Sequence, residues 1–148
     1  DVAYICCGDN NGTLVDDLWK FDGSDWKQLR DIANNDSDGD YDDDYAITRA
    51  GTVSFVIDGR GYIATGARSG VTSDYWVYDP EEDLWYGDSD DDYTPMTNVH
   101  NVSSGGSSRS YAVSFSTGKR GFVLSGSSGT SYFDDVYELL PYEQEDVD

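Results

Sequence analysis

"VDDLWKFD", residues 15–22, returns in altered form as "TSDYWVYD" at 72–79 and "FDDVYELL" at 133–140. A phrase repeated at a near-constant interval marks a stacked or radial architecture, in which each repeat is one supersecondary unit that buries its apolar face against the next. The match extends well beyond the phrase. "VAYICCGDNNGTLVDDLWKFDGSDW" (2–26), "GYIATGARSGVTSDYWVYDPEEDLW" (61–85) and "GFVLSGSSGTSYFDDVYELLPYE" (121–143) each open on an aromatic and aliphatic run that ends in Gly8, Gly66 or Gly126. Each then reaches Asp17, Asp74 or Asp135, with a large aromatic two residues later: Trp19, Trp76 or Tyr137. The glycines step by 58 and 60 residues and the aspartates by 57 and 61. Two units carry a further matched run in front, "RAGTVSFVIDGRG" (49–61) and "RSYAVSFSTGKRG" (109–121), which sets Arg49 and Arg109, and likewise Phe55 and Phe115, 60 residues apart.

These runs alternate with period two. Val53, Phe55 and Ile57 share one face, as do Val113 and Phe115, and the aromatic, β-branched phrases "YWVYD" and "LWKF" suit strands. "IDGRGY" (57–62), "STGKRGF" (116–122), "FDGSDW" (21–26) and "YDPEEDLW" (78–85) read as tight hairpin connections. No segment combines helix caps with a 3.6-residue period. The expectation is an all-β chain. Its second repeat supplies four antiparallel strands near 50–57, 61–66, 74–79 and 83–87.

On these residues the chain resembles a kelch-repeat β-propeller of the galactose-oxidase-like superfamily, and is similar to secreted or lipid-anchored bacterial propellers. The second repeat carries the likeness from Arg49 through Gly59-Arg60-Gly61-Tyr62, Thr65-Gly66, Asp74, Trp76-Val77-Tyr78-Asp79-Pro80 and Trp85. The kelch double glycine stands here as Cys7-Gly8, Thr65-Gly66 and Ser125-Gly126. The resemblance implies four-stranded blades in an incomplete ring of about two and a half blades, against four to eight in a closed propeller. Residues 1–29 make a partial blade (strands 2–4), 30–48 an acidic inter-blade loop and 49–87 a complete blade. Residues 88–108 make a second polar and acidic loop, 109–142 a blade lacking its fourth strand, and 143–148 an acidic tail. The chain opens mid-repeat and reads as a C-terminal fragment. It is expected to need further blades, another copy of itself or another chain to cover its open edges.

Net charge is −21, with 25 Asp against 5 Glu and only 3 Lys. Such a field repels nucleic acid and anionic lipid, and both are excluded as partners. Salt adaptation would account for the charge by itself. No apolar run approaches the ~18 residues of a membrane helix, so no insertion is expected, although a lipid anchor on a longer parent chain is compatible. Cys6 and Cys7 are adjacent; in a strand they point to opposite faces, which reads as core or edge residues rather than a disulfide.

Long loops fall on one side of the expected blades (8–16, 30–48, 66–73, 88–108 and 126–134), and function belongs with them. In "NNDSDGDYDDDY" (34–45), Asn34, Asp36, Asp38, Asp40 and Asp42 alternate around Gly39. Calcium takes six to eight oxygens, and this pattern is the first half of a calcium loop, with Tyr45 where the bidentate glutamate belongs. "DSDDD" (88–92) lacks both the glycine and the alternation. Arg49, Arg68 and Arg109 are candidate contacts for an anionic or sugar ligand, with a structural role for Arg49 and Arg109 as the competing reading. Tyr41, Tyr45 and Tyr93, in acidic loops, are candidate exposed contacts, whereas Trp19, Trp76 and Tyr137 read as blade core. The resemblance also reaches propeller enzymes, a copper oxidase acting on galactose and a sialic-acid epimerase. The oxidase centre needs two His, two Tyr and a Cys. This chain has a single histidine, His100, so no copper is expected. The reading is a non-catalytic module, secreted or in a bacterial cell envelope, that binds a glycan or protein and is stabilised by calcium. The alternative is a piece of a propeller enzyme whose catalytic residues lie in absent blades.

Overall fold

A computed structural model describes residues 1–32, 46–87, 97–98 (backbone) and 107–139. The described residues contain no helix, and therefore none long and apolar enough to cross a membrane. The chain divides into two compact units, Asp1–Ala50 and Gly51–Asp148.

The first unit holds a three-stranded antiparallel sheet of β1 (Ala3–Cys6), β4 (Leu18–Phe21) and β5 (Trp26–Gln28), in that order. A small hairpin, β2 (Asp9–Asn10) with β3 (Thr13–Leu14), rises between β1 and β4. Its turn residues Asn11 and Gly12 both have positive φ, the geometry whose twist matches paired strands. The β4–β5 turn is fastened by one carboxylate. Asp22 Oδ1 accepts from the backbone N–H of Ser24 (2.9 Å) and of Asp25 (3.0 Å) and from the Ser24 hydroxyl (3.0 Å). The donors from Asp25 and Ser24 hold the Asp22 carboxyl down to about 2, from an ordinary value of 3.8. A depressed folded-state value stabilises the turn fully above the ordinary value and ceases to do so as pH falls through the folded one. The expected result is that the Ser24 and Asp25 amide resonances titrate together with a midpoint near pH 2, and that Asp22→Asn abolishes this transition. A midpoint at the ordinary carboxylate value would show the turn bonds to be absent in solution.

The second unit contains two four-stranded sheets. In one, β6 (Val53–Ile57), β7 (Arg60–Ala64), β8 (Tyr75–Asp79) and β9 (Leu84–Gly87) run in sequence order, all antiparallel. Each strand lies within a few residues of its sequence-read position. β6 alternates buried and exposed along its length, as period-two patterning requires. The β6–β7 turn uses Asp58 and Gly59, both with positive φ, and Asp79 organises the β8–β9 turn. Burial raises the Asp79 carboxyl, but the Arg60 Nε–H (2.8 Å) and the N–H groups of Glu81 and Glu82 outweigh it and hold the group below its ordinary value.

The remaining sheet has the order β10–β13–β12–β11, from β10 (Thr97–Asn98), β11 (Val113–Ser116), β12 (Gly121–Leu124) and β13 (Val136–Leu139). Here the structure departs from the sequence reading, which gave residues 109–142 no fourth strand. The outer position beside β13 is taken by β10, drawn from the 88–108 segment read as loop, with Asn98 opposite Tyr137. An unsatisfied strand edge recruits whatever extended backbone can reach it, and two residues suffice.

The two sheets of this unit stack face to face. Their shared core joins Phe55, Tyr62, Tyr75 and Val77 of the one to Val123, Tyr137 and Leu139 of the other. Phe55 stacks on Tyr62 at 5.6 Å and lies over Gly121, where a Cβ would fall 2.2 Å from the ring. Around this contact Ser114 Oγ donates to Ser54 O (2.8 Å), Asp58 N–H donates to Gly118 O (3.0 Å), and Lys119 pairs with Asp58 (2.6 Å). Burying each large apolar side chain contributes about 1.5–3 kcal/mol, so this seam dominates the packing of the unit.

Candidate functional site

The repeated phrases build three loops of one design. The residue before each loop glycine sits in the left-handed region: Cys7 at φ 65°, Thr65 at 58° and Ser125 at 56°, followed by Gly8, Gly66 and Gly126, all at positive φ. The position before the loop glycine therefore holds one backbone setting in all three repeats while carrying three different side chains, at a cost of roughly 1–2 kcal/mol each. Each loop closes by a backbone N–H donated to the glycine carbonyl: Val15 to Gly8 (3.0 Å), Thr72 to Gly66 (2.8 Å) and Phe133 to Gly126 (3.0 Å). In the first two the glycine N–H in turn donates to an arginine carbonyl, Gly8 to Arg49 (2.8 Å) and Gly66 to Arg109 (2.7 Å). No described residue accepts from Gly126 N–H.

The two core arginines are enclosed. Arg109 is 1% exposed and committed on every side. It makes a two-pronged ion pair with Asp135 (Nη1–Oδ1 2.5 Å, Nη2–Oδ2 2.9 Å). It also donates to Ser107 O (3.0 Å) and Ser125 O (2.7 Å). Its guanidinium lies over the rings of Phe133 (4.4 Å) and Tyr137 (4.7 Å). Arg49 is equally buried and donates to Ile47 O (3.0 Å) and Ala46 O (2.7 Å). This geometry gives both the structural role: they knit the start of a repeat to loop carbonyls, and their donors face protein rather than solvent. Arg68 differs. It sits in the Gly66–Thr72 loop, whose tip is set by Arg68 N–H donating to Gly70 O (3.0 Å). Its side chain is exposed and has no ion pair or hydrogen bond with the described residues. Of the three candidate arginines it alone is exposed.

Tyr41, Tyr45 and Tyr93, and the proposed calcium set Asn34, Asp36, Asp38, Asp40 and Asp42, lie outside the described residues. Among the described residues no group of three or more metal-ligating side chains converges. The loops instead expose aromatics that the sequence reading passed over: Tyr132, 91% exposed in the third loop, and Tyr111, close to the Ser110–Ser127 bridge that ties this loop down. Their signal was present in "TSYFDD" (130–135), a tyrosine in a Gly/Ser-rich loop whose neighbours offer it no core.

The Asp-x-aromatic phrase also gains a function. Side chains two apart on a strand share a face, and Asp17 and Asp74 accept from the indole N–H of Trp19 (2.5 Å) and Trp76 (3.1 Å). Tyr137 offers no such donor, and Asp135 takes Arg109 instead. Cys6 and Cys7 are both free thiols, but Cys7 leaves the strand at its positive φ, so the expected opposition of the two side chains does not hold. The thiols interact. Hydrogen bonding to Cys7 and burial push Cys6 up, while donors from Cys6 and from the Arg49 backbone lower Cys7. Cys7 is thus the thiol that ionises first, which bears on labelling chemistry.

No protein-family model matches the chain, and no curated protein matches it. The correspondences described above are all internal to the sequence.

Proposed function

We propose that this chain is a non-catalytic binding or scaffold module built from kelch-type propeller blades, acting outside the cell or in the cell envelope. Its ligand is a glycan or protein taken by the glycine-anchored loops. The observation that supports this reading is the contrast within the second unit. The buried polar groups are spent on holding loops, as with Arg109, while the loops they hold present Arg68 and Tyr132 to solvent. A guanidinium and an aromatic face on rigidly anchored loops are the groups that recognise sugars and protein surfaces. Calcium held by the 34–42 stretch is proposed to stabilise the module.

The test is glycan-array and pull-down screening of the whole chain beside Arg68→Ala and Tyr132→Ala. Both substitutions are expected to weaken a captured ligand by about tenfold or more with no change in melting temperature, because both side chains are exposed. Ligand capture indifferent to both, or glycan turnover by the chain, would refute the binding-module reading. For calcium, chelator is expected to lower the melting temperature and calcium, but not magnesium at equal ionic strength, to restore it; identical melts would remove the ion from the proposal.

A further inference from the structure

The third sheet (β10–β13) has two unlike faces. Gly121, Val123, Tyr137 and Leu139 point to the second sheet (β6–β9) and are buried against it. Strand alternation puts Val113, Phe115, Phe122, Leu124 and Val136 on the other side. Val113 and Phe115 are the repeat counterparts of Val53 and Phe55, which are buried beneath the third sheet. They are nevertheless 63% and 50% exposed. Phe115 stacks on Phe122 at 4.6 Å, just as Phe55 stacks on Tyr62. The outward face is therefore made largely like a covered one: among the described residues Val113 and Phe115 are left open on it, while Glu138 on the same face is buried and paired with Arg120, whose guanidinium lies over Phe122.

The molecule itself shows what fits such a face, because it covers one within its own second unit: a sheet presenting the counterparts of Gly121, Val123, Tyr137 and Leu139. The first sheet (β1–β4–β5) presents them as Ala3, Ile5, Trp19 and Phe21. Phe21 there stacks on Trp26 at 4.8 Å, and Ile5 and Trp26 are 54% and 51% exposed. We infer that the outward face of the third sheet docks the first sheet of a second copy of this chain, repeating between molecules the seam that joins the two sheets within one. Ala3 replaces the glycine that receives the ring, so Phe115 must seat slightly off the position Phe55 takes. The contact is heterologous, so it propagates into a closed ring or an open filament rather than stopping at a symmetric pair. The −21 charge of each copy opposes the approach, and added salt screens that repulsion while leaving the apolar seam intact.

The proposal is independent of what the loops bind and is read without ligand. Sedimentation velocity of the 148-residue chain is expected to show association that grows with concentration and with salt. Val113→Asp with Phe115→Asp, and separately Ile5→Asp with Trp26→Asp, are each expected to lower the apparent association constant by about tenfold or more. An equimolar mixture of the two variants retains one competent face per molecule and is expected to give a heterodimer and nothing larger. Circular dichroism melts establish that the variants are folded; for one that is not, Phe115→Ser or Ile5→Thr takes its place. A wild type that stays monomeric at high salt overturns the inference. So does either variant associating as strongly as wild type, or a mixture that gives no heterodimer.

Discussion

Asp135→Ala is expected to cost the second unit about 3 kcal/mol in urea unfolding, more than any exposed substitution in the chain. Among the described residues this carboxylate is the only anion that Arg109 contacts, and the guanidinium is almost wholly enclosed. Removing one member of a buried pair strands the other charge away from water, which costs about 3–5 kcal/mol in fully enclosed cases. The Asp135 side chain is itself 20% exposed, which places the expectation at the lower end. Arg109→Lys is expected to cost about 2 kcal/mol although it keeps the charge. A point ammonium cannot hold two carboxylate oxygens, reach the Ser107 and Ser125 carbonyls and lie flat on Phe133 and Tyr137 at once. A lysine variant within about 0.5 kcal/mol of wild type would show that charge alone, and not the planar fork, is what the site requires.

Gly121→Ala is expected to destabilise the same unit by about 2–3 kcal/mol, although it adds one methyl group. The added Cβ would stand 2.2, 2.6 and 2.8 Å from three atoms of the Phe55 ring. That ring is confined by Tyr62 and the rest of the seam, and forcing extra volume into a packed core costs about 1–3 kcal/mol. The mechanism has a second signature. Phe55→Leu is expected to cost about 1–1.5 kcal/mol in the wild-type background but to be near neutral beside Gly121→Ala, because the smaller side chain vacates the space the methyl needs. Additive costs in that double-mutant cycle would assign the glycine a backbone role instead.

Much of this was legible in the sequence, for a definite reason. The strands of 49–87 combine period-two alternation with turn residues that tolerate positive φ, so Val53, Phe55 and Ile57 declare a face and Asp58-Gly59 a reversal. The repeat also brought Arg49 and Arg109 into one role. Other features had no local signal. β10 is two residues in a polar stretch, and only the exposed edge of β13 makes it a strand. Alternation showed that Val113 and Phe115 share a face but not whether anything covers it. That Arg109 would be enclosed and Arg68 open depends on which loops fold over them. The left-handed setting of Cys7 was hidden because a cysteine does not advertise that backbone; only its alignment with Thr65 and Ser125 does.

The placing of β10 has a consequence for the order in which the chain acquires its structure. The second sheet joins only neighbours in sequence, so its strands can zip from one hairpin to the next as soon as residue 87 has been made. The third sheet closes differently: Asn98 must wait for Tyr137, with the whole β11–β12 hairpin between them. Such long-range closure is slower than local pairing. During synthesis the second sheet is therefore expected to form first, with Phe55 bare, and to serve as the template on which the third condenses.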